Sequence, residues 1–156
     1  MSSYTVTRSI VTSARVDRVH PLVDDFRAWS AWSPWEDLDP GMRREFSGPE
    51  SGEGAYYAWS GNGKVGEGNM MIVSSSLAAV EIRLVFLKPF KANNPTRFEF
   101  EPVDGGTRIT WSMHGENKGI MRLLAPLLRI TKAVAADFDR GLARLKAAAE
   151  SAPEGA

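Results

Sequence analysis

Apolar and polar residues alternate along most of the chain, which is the two-residue period of a strand with one buried face. In residues 107–116, for example, Ile109, Trp111 and Met113 alternate with polar side chains. Turn-forming residues separate such segments, as in the Asp-Gly-Gly run at 104–106. The pattern predicts six or seven strands, over residues 4–13, 42–46, 54–60, 64–75, 79–87, 97–103 and 107–116.

Helical spacing of apolar residues replaces the alternation in two places. Residues 16–25 predict a short helix, with Asp17 as its N-cap and Pro21 as a cause of kinking. Residues 126–149 keep one apolar and one charged face, which predicts an amphipathic helix of roughly 35 Å. Pro126 suits the first position of that helix.

Three of the five tryptophans lie within residues 29–35, which read Trp-Ser-Ala-Trp-Ser-Pro-Trp. The proline and serines among them exclude both an ordinary helix interior and a plain strand. We therefore predict a packed corner, where a short helix ends beneath a large apolar element. Such a corner either flanks the opening of a cavity or plugs the core, and the high average burial of tryptophan favours the plug.

The order of these elements predicts how the chain folds. Consecutive antiparallel strands form a meander that curls because sheets twist, and the long helix must cover its concave face. A curved sheet and a straight helix cannot touch along their whole length, so the gap between them is a natural site for an apolar ligand. The residues predicted to line this site are Trp59, Met70, Ile82, Leu84, Phe98, Phe100, Trp111, Met113, Val134, Phe138 and Leu142.

Several short motifs follow one another along the chain, and their order is more informative than any one of them. They are Ala14, Asp25-Phe26, Trp29, Trp32-Ser33-Pro34-Trp35, Gly66-Glu67-Gly68, Phe86-Leu87-Lys88-Pro89-Phe90, residues 106–111, Phe138, Gly141-Leu142 and Leu145-Lys146. Together they resemble the START-like (Bet v 1-like, helix-grip) superfamily, in particular its bacterial polyketide cyclase/dehydrase-like branch. The resemblance implies an α+β helix-grip fold, in which a curved antiparallel β-sheet of six to seven strands wraps around a long C-terminal α-helix. It also implies two short helices after the first strand, and no shared set of catalytic residues.

Composition excludes several classes of function. The 156 residues hold 19 basic and 19 acidic side chains, which leave no electrostatic footprint for nucleic acid. With no cysteine and only two separated histidines, we expect no disulfide, metal or cofactor. No membrane span or signal peptide is readable, so we expect a cytoplasmic monomer or weak homodimer. Residues 1–150 are expected to form one domain, and residues 151–156 a flexible tail.

Polar side chains on the predicted strands offer little chemistry. Arg8 shares the parity of the apolar residues of the first strand, so it is a candidate polar anchor for a ligand carboxylate or phenolate, unless it reaches solvent at a strand edge. His114 shares a face with Ser112, but that face is opposite Trp111, so no catalytic role is expected. The Gly-Glu-Gly run at 66–68 is interpreted as a strand bulge rather than a phosphate loop.

Three functions remain open from the sequence. The leading hypothesis is a soluble protein that binds a small hydrophobic or aromatic molecule between the sheet and the C-terminal helix. The second is a polyketide cyclase, aromatase or dehydratase, which would need an inward-facing acid/base pair that the sequence does not show. The third is a protein-interaction module similar to the chaperone-activating members of the superfamily. Residues 119–125 would supply it with an exposed apolar patch, or would instead form a lid over the cavity.

Overall fold

The computed structural model describes residues 2–36, 39, 41–62, 65–88, 91–117 and 127–151. In chain order the elements are β1 (Ser2–Thr12), helix α1 (Val16–Val23), a 3-10 helix (Phe26–Ala31), β2 (Arg43–Ser47), β3 (Tyr56–Ser60), β4 (Glu67–Ser75), β5 (Ala79–Lys88), β6 (Ala92–Val103), β7 (Gly106–Asn117) and helix α2 (Leu127–Ser151). These positions agree with the sequence prediction closely, except at the start of β6.

The seven strands belong to one antiparallel sheet, in the order β1-β7-β6-β5-β4-β3-β2. Each strand from β2 to β6 pairs with the next strand along the chain, and β1 joins the sheet beside β7. The β6–β7 hairpin turns at Asp104 and Gly105, with Val103 opposite Gly106, as the Asp-Gly-Gly run predicted. The curved sheet, the short helix after β1 and the long C-terminal helix confirm the α+β helix-grip fold.

Strand β6 begins earlier than predicted, at Ala92. Asparagine and proline are disfavoured in strands, which is why the alternating pattern is missing there. Asn94 is nevertheless buried, and its side-chain amide donates a hydrogen bond of 3.1 Å to the carbonyl oxygen of His114 on β7. Strand β6 pairs with β5 from Ala92 onwards, but with β7 only from Thr96 onwards. Pro95 is tolerated because its missing N–H lies just outside the β6–β7 ladder.

Helix α2 covers the concave face of the sheet and packs mainly along β1. Its buried residues recur at helical spacing: Phe138, Gly141, Leu142, Leu145 and Ala149. Val134, on the same face, is half-buried. A Cβ atom on Gly141 would come within 2.9 Å of both Pro34 and the Trp111 ring. Glycine at this position therefore lets the helix backbone approach the sheet and the tryptophan corner closely.

The tryptophan corner comprises the 3-10 helix and the turn that follows it. Trp29 and Trp32 are buried, and their indole N–H groups donate hydrogen bonds of 2.8 and 2.7 Å to the carbonyl oxygens of Val23 and Leu22. Those carbonyls belong to the last turn of α1, where no intrahelical partner exists. The corner thus plugs the core, as predicted, and also satisfies the C-terminal end of α1.

The start of α1 differs from the prediction. Arg15 occupies the N-cap position without a side-chain hydrogen bond, and Asp17 lies in the first turn. The prediction that Asp17 caps the helix is wrong because the helix already begins at Val16; its carboxylate instead faces the positive end of the helix dipole. Pro21 lies inside the helix, which ends two residues later at Val23 and is short, as expected.

The C-terminal end of α2 is fixed to the end of β1 through Glu150. Its carboxylate accepts a hydrogen bond of 2.7 Å from the Thr12 hydroxyl and one of 3.0 Å from the Ser13 backbone N–H. Both bonds favour the ionised form and lower the pKa of Glu150. The C-terminal end of α2 is therefore held against the connection between β1 and α1.

Some predictions fall on residues that the structure does not describe. These are the proposed patch or lid at 119–125, the helix start at Pro126, and Pro89 and Phe90 of one family motif. Helix α2 continues to Ser151, the first residue of the expected tail, and the rest of that tail also lies outside the described residues.

Candidate functional site

A cavity of about 220 Å³ lies between the concave face of the sheet and α2. Its wall combines the tryptophan corner, the loops after it, strands β3 to β7 and one face of α2. This is the gap that a curved sheet and a straight helix leave between them. The lining residues are Phe26, Trp29, Ser33, Trp35, Glu36, Met42, Tyr57, Trp59, Val65, Met70, Leu84, Phe86, Thr96, Trp111, Met113, Val134, Asp137 and Phe138.

The structure divides the predicted lining residues into two groups. Those that reach the cavity wall are Trp59, Met70, Leu84, Trp111, Met113, Val134 and Phe138. Those that are buried in the core away from the cavity are Ile82, Phe98, Phe100 and Leu142. Phe98 shows the reason, because the rings of Trp29 and Trp32 each lie 5.8 Å from it and fill the space in front of it.

Arg8 lies outside the cavity. Its side chain is 50% exposed, and its Nε lies 3.6 Å from the Oδ2 atom of Asp139 on α2. Arg8 is opposite Trp111 in the β1–β7 register, but β1 is an edge strand and the guanidinium reaches solvent. An ion pair between two such exposed side chains stabilises little. The structure therefore gives no support to Arg8 as a polar anchor.

Stacked aromatic rings close one end of the cavity, which we call the closed end. Trp111 stacks on Phe98 and Phe138, with ring centroids 4.8 and 3.9 Å apart and interplanar angles of 24° and 7°. Trp32 and Trp35 add edge-to-face contacts with Trp111 at 5.6 and 5.7 Å. Such pairs stabilise beyond the area that they bury. The indole N–H of Trp111 has no acceptor among the described residues, so this wall also carries a buried donor.

Tyr57 and Trp59 of β3 line the opposite end, which we call the open end. Their rings stack at 6.1 Å, and Trp59 Nε1 donates a hydrogen bond of 2.8 Å to the carbonyl oxygen of Val65. A Cβ atom on Gly68 would lie 2.7 Å from the Trp59 ring and 2.4 Å from the carbonyl oxygen of Val85. Glycine is therefore required for the indole to lie over β4. The β4–β5 register shifts at Gly68, which confirms the predicted bulge.

A polar cluster borders the open end. Glu36 lines the cavity, and its Oε2 atom accepts a hydrogen bond of 2.6 Å from Nη2 of Arg44 on β2. The side chains of Glu36 and Arg44 are only 17% and 29% exposed. Burial, and after it the negative charge of Glu36, raises the pKa of Tyr57 to about 12. The Tyr57 hydroxyl therefore stays neutral at physiological pH and is available as a hydrogen-bonding group.

A second carboxylate, that of Asp137 on α2, also lies on the cavity wall. Its Oδ2 atom accepts a hydrogen bond of 3.1 Å from Trp35 Nε1, and its Oδ1 atom accepts one from Arg140. Thr96 and Ser33 complete the polar part of the wall. The Thr96 hydroxyl donates to a backbone carbonyl 2.9 Å away, and the Ser33 hydroxyl oxygen accepts a 3.3 Å bond from the Trp35 backbone N–H.

The sequence prediction did not include several of these lining residues, and only some of them could have been found from the periodicity of the sequence. Phe86 shares the strand parity of Leu84, so the alternation could have found it. Asp137 lies three residues after Val134 on the inward face of α2, which helical spacing could also have found. Glu36 lies in a loop where no periodicity applies. The sequence showed no inward-facing acid/base pair, whereas the structure places two carboxylates, those of Glu36 and Asp137, on the cavity wall.

Both histidines lie away from the cavity. His114 is exposed on the outer face, as predicted, with its Nδ1 atom 2.8 Å from the Thr5 hydroxyl oxygen. His20 is half-buried, and its Nε2 atom lies 2.9 Å from the Ser75 hydroxyl oxygen and 3.6 Å from Oδ2 of Asp24. A catalytic triad places the carboxylate and the hydroxyl on different ring nitrogens. Both groups contact the same nitrogen here, so this cluster is not a triad.

Other kinds of site find no support in the described part of the chain. Within the described ranges, no group of three or more His, Asp or Glu side chains is arranged to hold a metal ion. No helix described by the structure is long and apolar enough to cross a membrane. Among the described residues, the exposed large apolar ones are Val11 on β1, Val73 and Leu77 near the β4–β5 turn, and Leu87 towards the other end of β5. These four are too dispersed to form by themselves the patch that a protein-interaction module would need.

The same fold occurs in solved structures of low sequence identity. Protein CV1439 from Chromobacterium violaceum aligns over 95% of this chain and 98% of its own, with a TM-score of 0.68 and 14% identity. Ara h 8.0201 aligns over 97% of this chain and 100% of its own, with a TM-score of 0.66 and 14% identity. The di-domain ARO/CYC protein StfQ from the steffimycin biosynthetic pathway aligns over 95% of this chain but 51% of its own, with a TM-score of 0.69 and 14% identity. At such identity the likeness shows the fold alone.

Comparison at the level of sequence is more specific. No curated protein matches the chain at a significant level. The sequence profile of the family described as polyketide cyclase / dehydrase and lipid transport matches residues 3–150. That match covers nearly the whole chain and agrees with the order of the motifs, the helix-grip fold and the cavity. The chain therefore belongs to the polyketide cyclase/dehydrase and lipid transport family.

Proposed function

We propose that the protein binds one small aromatic molecule in the cavity between the sheet and α2. The observation that carries this proposal is the cavity itself, an apolar space of about 220 Å³ with eight aromatic residues on its wall. Pockets of this kind, with few polar groups among apolar walls, are the usual form of a small-molecule site. Membership of the family supports ligand binding or cyclisation in general.

The size of the cavity favours a molecule of one or two rings. An apolar cavity of about 150 Å³ in another protein takes up benzene, whereas sites for drug-sized ligands span roughly 300–1,000 Å³. At about 220 Å³, the cavity formed by the described residues lies between these limits. A bicyclic hydrocarbon such as 2-methylnaphthalene is therefore a suitable probe.

Binding is tested by titrating 2-methylnaphthalene into the protein and following tryptophan fluorescence and heat release. We expect one saturable site. Val134→Trp should abolish binding, because Val134 lines the cavity and the larger ring would fill it. Ala136→Trp is the matched control, since Ala136 is exposed on the same helix. Absence of saturable binding to the wild type, or equal binding to both variants, would contradict the proposal.

A second candidate is a cyclase or dehydratase acting on a polyketide-like substrate, and the neighbourhood of Glu36 and Tyr57 favours it. The Glu36 carboxylate on the cavity wall can accept a proton, and the neutral Tyr57 hydroxyl can donate a hydrogen bond to a developing enolate oxygen. The test is turnover of a short poly-β-keto thioester, followed by absorbance and mass spectrometry. Glu36→Gln should abolish turnover, and Glu45→Gln, on the exposed side of β2, should not. Product formation no faster than in buffer would exclude this candidate for that substrate.

A further inference from the structure

The charged residues on the cavity wall share one sign. Among the described lining residues these are Glu36 and Asp137, and none is a lysine or arginine. The arginines that pair with them, Arg44 and Arg140, do not line the cavity. In both ion pairs the carboxylate therefore lines the cavity and the guanidinium does not, although the Arg44 guanidinium also hydrogen-bonds the Tyr57 hydroxyl on the wall.

This orientation matters because the carboxylates keep acceptor capacity. Each carboxylate oxygen offers about two lone-pair sites, and the existing bonds to Arg44 and to Trp35 and Arg140 use only part of them. The negative charge of Glu36 also extends to Tyr57, where it contributes to the raised pKa of the hydroxyl. A ligand with N–H donors would therefore find acceptors that are already held in place.

The aromatic residues of the cavity wall also favour a cationic ligand. Eight aromatic residues line the cavity, and the face of each aromatic ring carries a partial negative charge. A cation near such faces is attracted, and the attraction grows when water is excluded. A carboxylate or phosphate would instead lose its hydration and meet two carboxylates, with no lining cation among the described residues to compensate it.

We propose that the cavity selects an aromatic molecule that carries a protonated amine, and discriminates against carboxylates and phosphates of the same size. This inference rests on the proposed function, because it names the class of ligand for the same cavity. It separates the chain from a carrier of fatty acids or phospholipids, whose head groups contain a carboxylate or a phosphate.

The test compares three ligands with one ring system: 2-naphthylmethylamine, 2-methylnaphthalene and 2-naphthoate. We expect the amine to bind at least about tenfold more tightly than the acid by calorimetry at neutral pH and low salt, since charge-assisted hydrogen bonds are the strong ones. If the hydrocarbon itself fails to bind, the proposed function fails. If the hydrocarbon binds and the acid binds as tightly as the amine or more tightly, this inference is overturned while the proposed function stands.

Two variants of wall residues, each with a control variant, test whether the two carboxylates cause the preference for the amine. Glu36→Gln should reduce the ratio of the affinity for the amine to the affinity for the acid about tenfold, or reverse the preference. The reason is that the variant removes one carboxylate from the wall and frees Arg44 from its ion pair. Glu45→Gln removes an exposed charge from the same strand as Arg44 and should leave the ratio unchanged. Asp137→Asn should lower the ratio, and Asp139→Asn, an exposed neighbour on α2, should not. An unaltered ratio in both wall variants, with the affinity for the hydrocarbon retained, would refute the assignment.

Discussion

The closed and open ends of the cavity are built from the same aromatic residue types. The side chains pack tightly at the closed end, whereas they leave empty space at the open end. Trp111, Phe98 and Phe138 at the closed end are at most 1% exposed and stack on one another. Trp59 and Phe86 at the open end are only half-buried and meet edge to face at 5.8 Å beside the cavity. Residue type therefore does not decide which end of the concave face is filled.

The difference lies in what each end packs against. At the closed end the tryptophan corner stands between sheet and helix, and the hydrogen bonds of Trp29 and Trp32 to α1 hold it there. At the open end β4 bulges at Gly68, and Trp59 bonds to the loop carbonyl of Val65 rather than to a helix. A single hydrogen-bonded corner thus decides where this sheet and helix form a core and where they leave a site.

The largest expected effect is a difference in stability between a variant at the closed end and a variant at the open end. Trp111→Ala should lower the free energy of unfolding by about 3–5 kcal/mol, because the ring is fully buried in a packed stack. Trp59→Ala should cost only about 1–2 kcal/mol, because its side chain is only half-buried, whereas that of Trp111 is fully buried, and so makes fewer contacts. Urea denaturation measures both values. Equal costs at the two positions would mean that the ends do not differ in packing.

A second pair of variants adds volume instead of removing it. Leu142→Trp should destabilise by about 1–3 kcal/mol, because Leu142 lies in the filled core, 1% exposed. Val134→Trp should cost less than about 1 kcal/mol, since the added ring enters existing space. Thermal or urea unfolding checks the order. A Val134→Trp variant that is as unstable as Leu142→Trp would show that no usable space exists beside α2.

A third prediction concerns the electrostatics of the open end. The pKa of Tyr57 is about 12 in the folded protein and about 10 in an unfolded chain, so its contribution to stability is present below pH 10. That contribution is lost as the pH rises from about 10 towards 12, because the unfolded chain releases the proton first. The difference in unfolding free energy between wild type and Tyr57→Phe should therefore shift against the wild type above pH 10. Tyr56→Phe, on the other face of β3, is the comparison.

The smallest expected effect lies outside both ends. His114→Ala should change the free energy of unfolding by no more than about 0.5 kcal/mol, because the His114 side chain is exposed on the outer face, where its ring contacts the surface hydroxyl of Thr5. The affinity for 2-methylnaphthalene should also be unchanged. A large loss of affinity in this variant would show that the outer face, and not the cavity, holds the ligand.

The periodicity of the sequence was sufficient for the fold, and it failed where tertiary contacts override local preference. The alternation and the helical spacing identified the strands and α2. The start of β6 was missed because Asn94 is stabilised by a bond to the carbonyl oxygen of His114 on another strand. Asp17 was misplaced as a cap because the exact start of a short helix depends on geometry that composition does not specify.

The site was less predictable than the fold. The parity of a residue along a strand predicts which face of the sheet its side chain lies on, but not which residues pack against that face. Ile82 and Leu84 share one face of β5, yet Leu84 lines the cavity and Ile82 lies in the core. Glu36 reaches the wall from a loop, where no period applies, and Arg8 has the right parity on an edge strand. The cytoplasmic location, the oligomeric state and the absence of nucleic-acid binding stay predictions from composition.

The most direct test uses the five tryptophans as reporters of both ends in one spectrum. In ¹⁵N-labelled protein each indole N–H gives one resonance, assigned by single Trp→Phe variants. On addition of 2-methylnaphthalene, the resonances of Trp35 and Trp59 should shift and saturate together, because both side chains line the cavity. Trp32, which is buried and bonded to Leu22 away from the wall, should remain in place. Shifts in Trp32 as large as those in Trp59, or no shifts at saturating ligand, would contradict a ligand site between the sheet and α2.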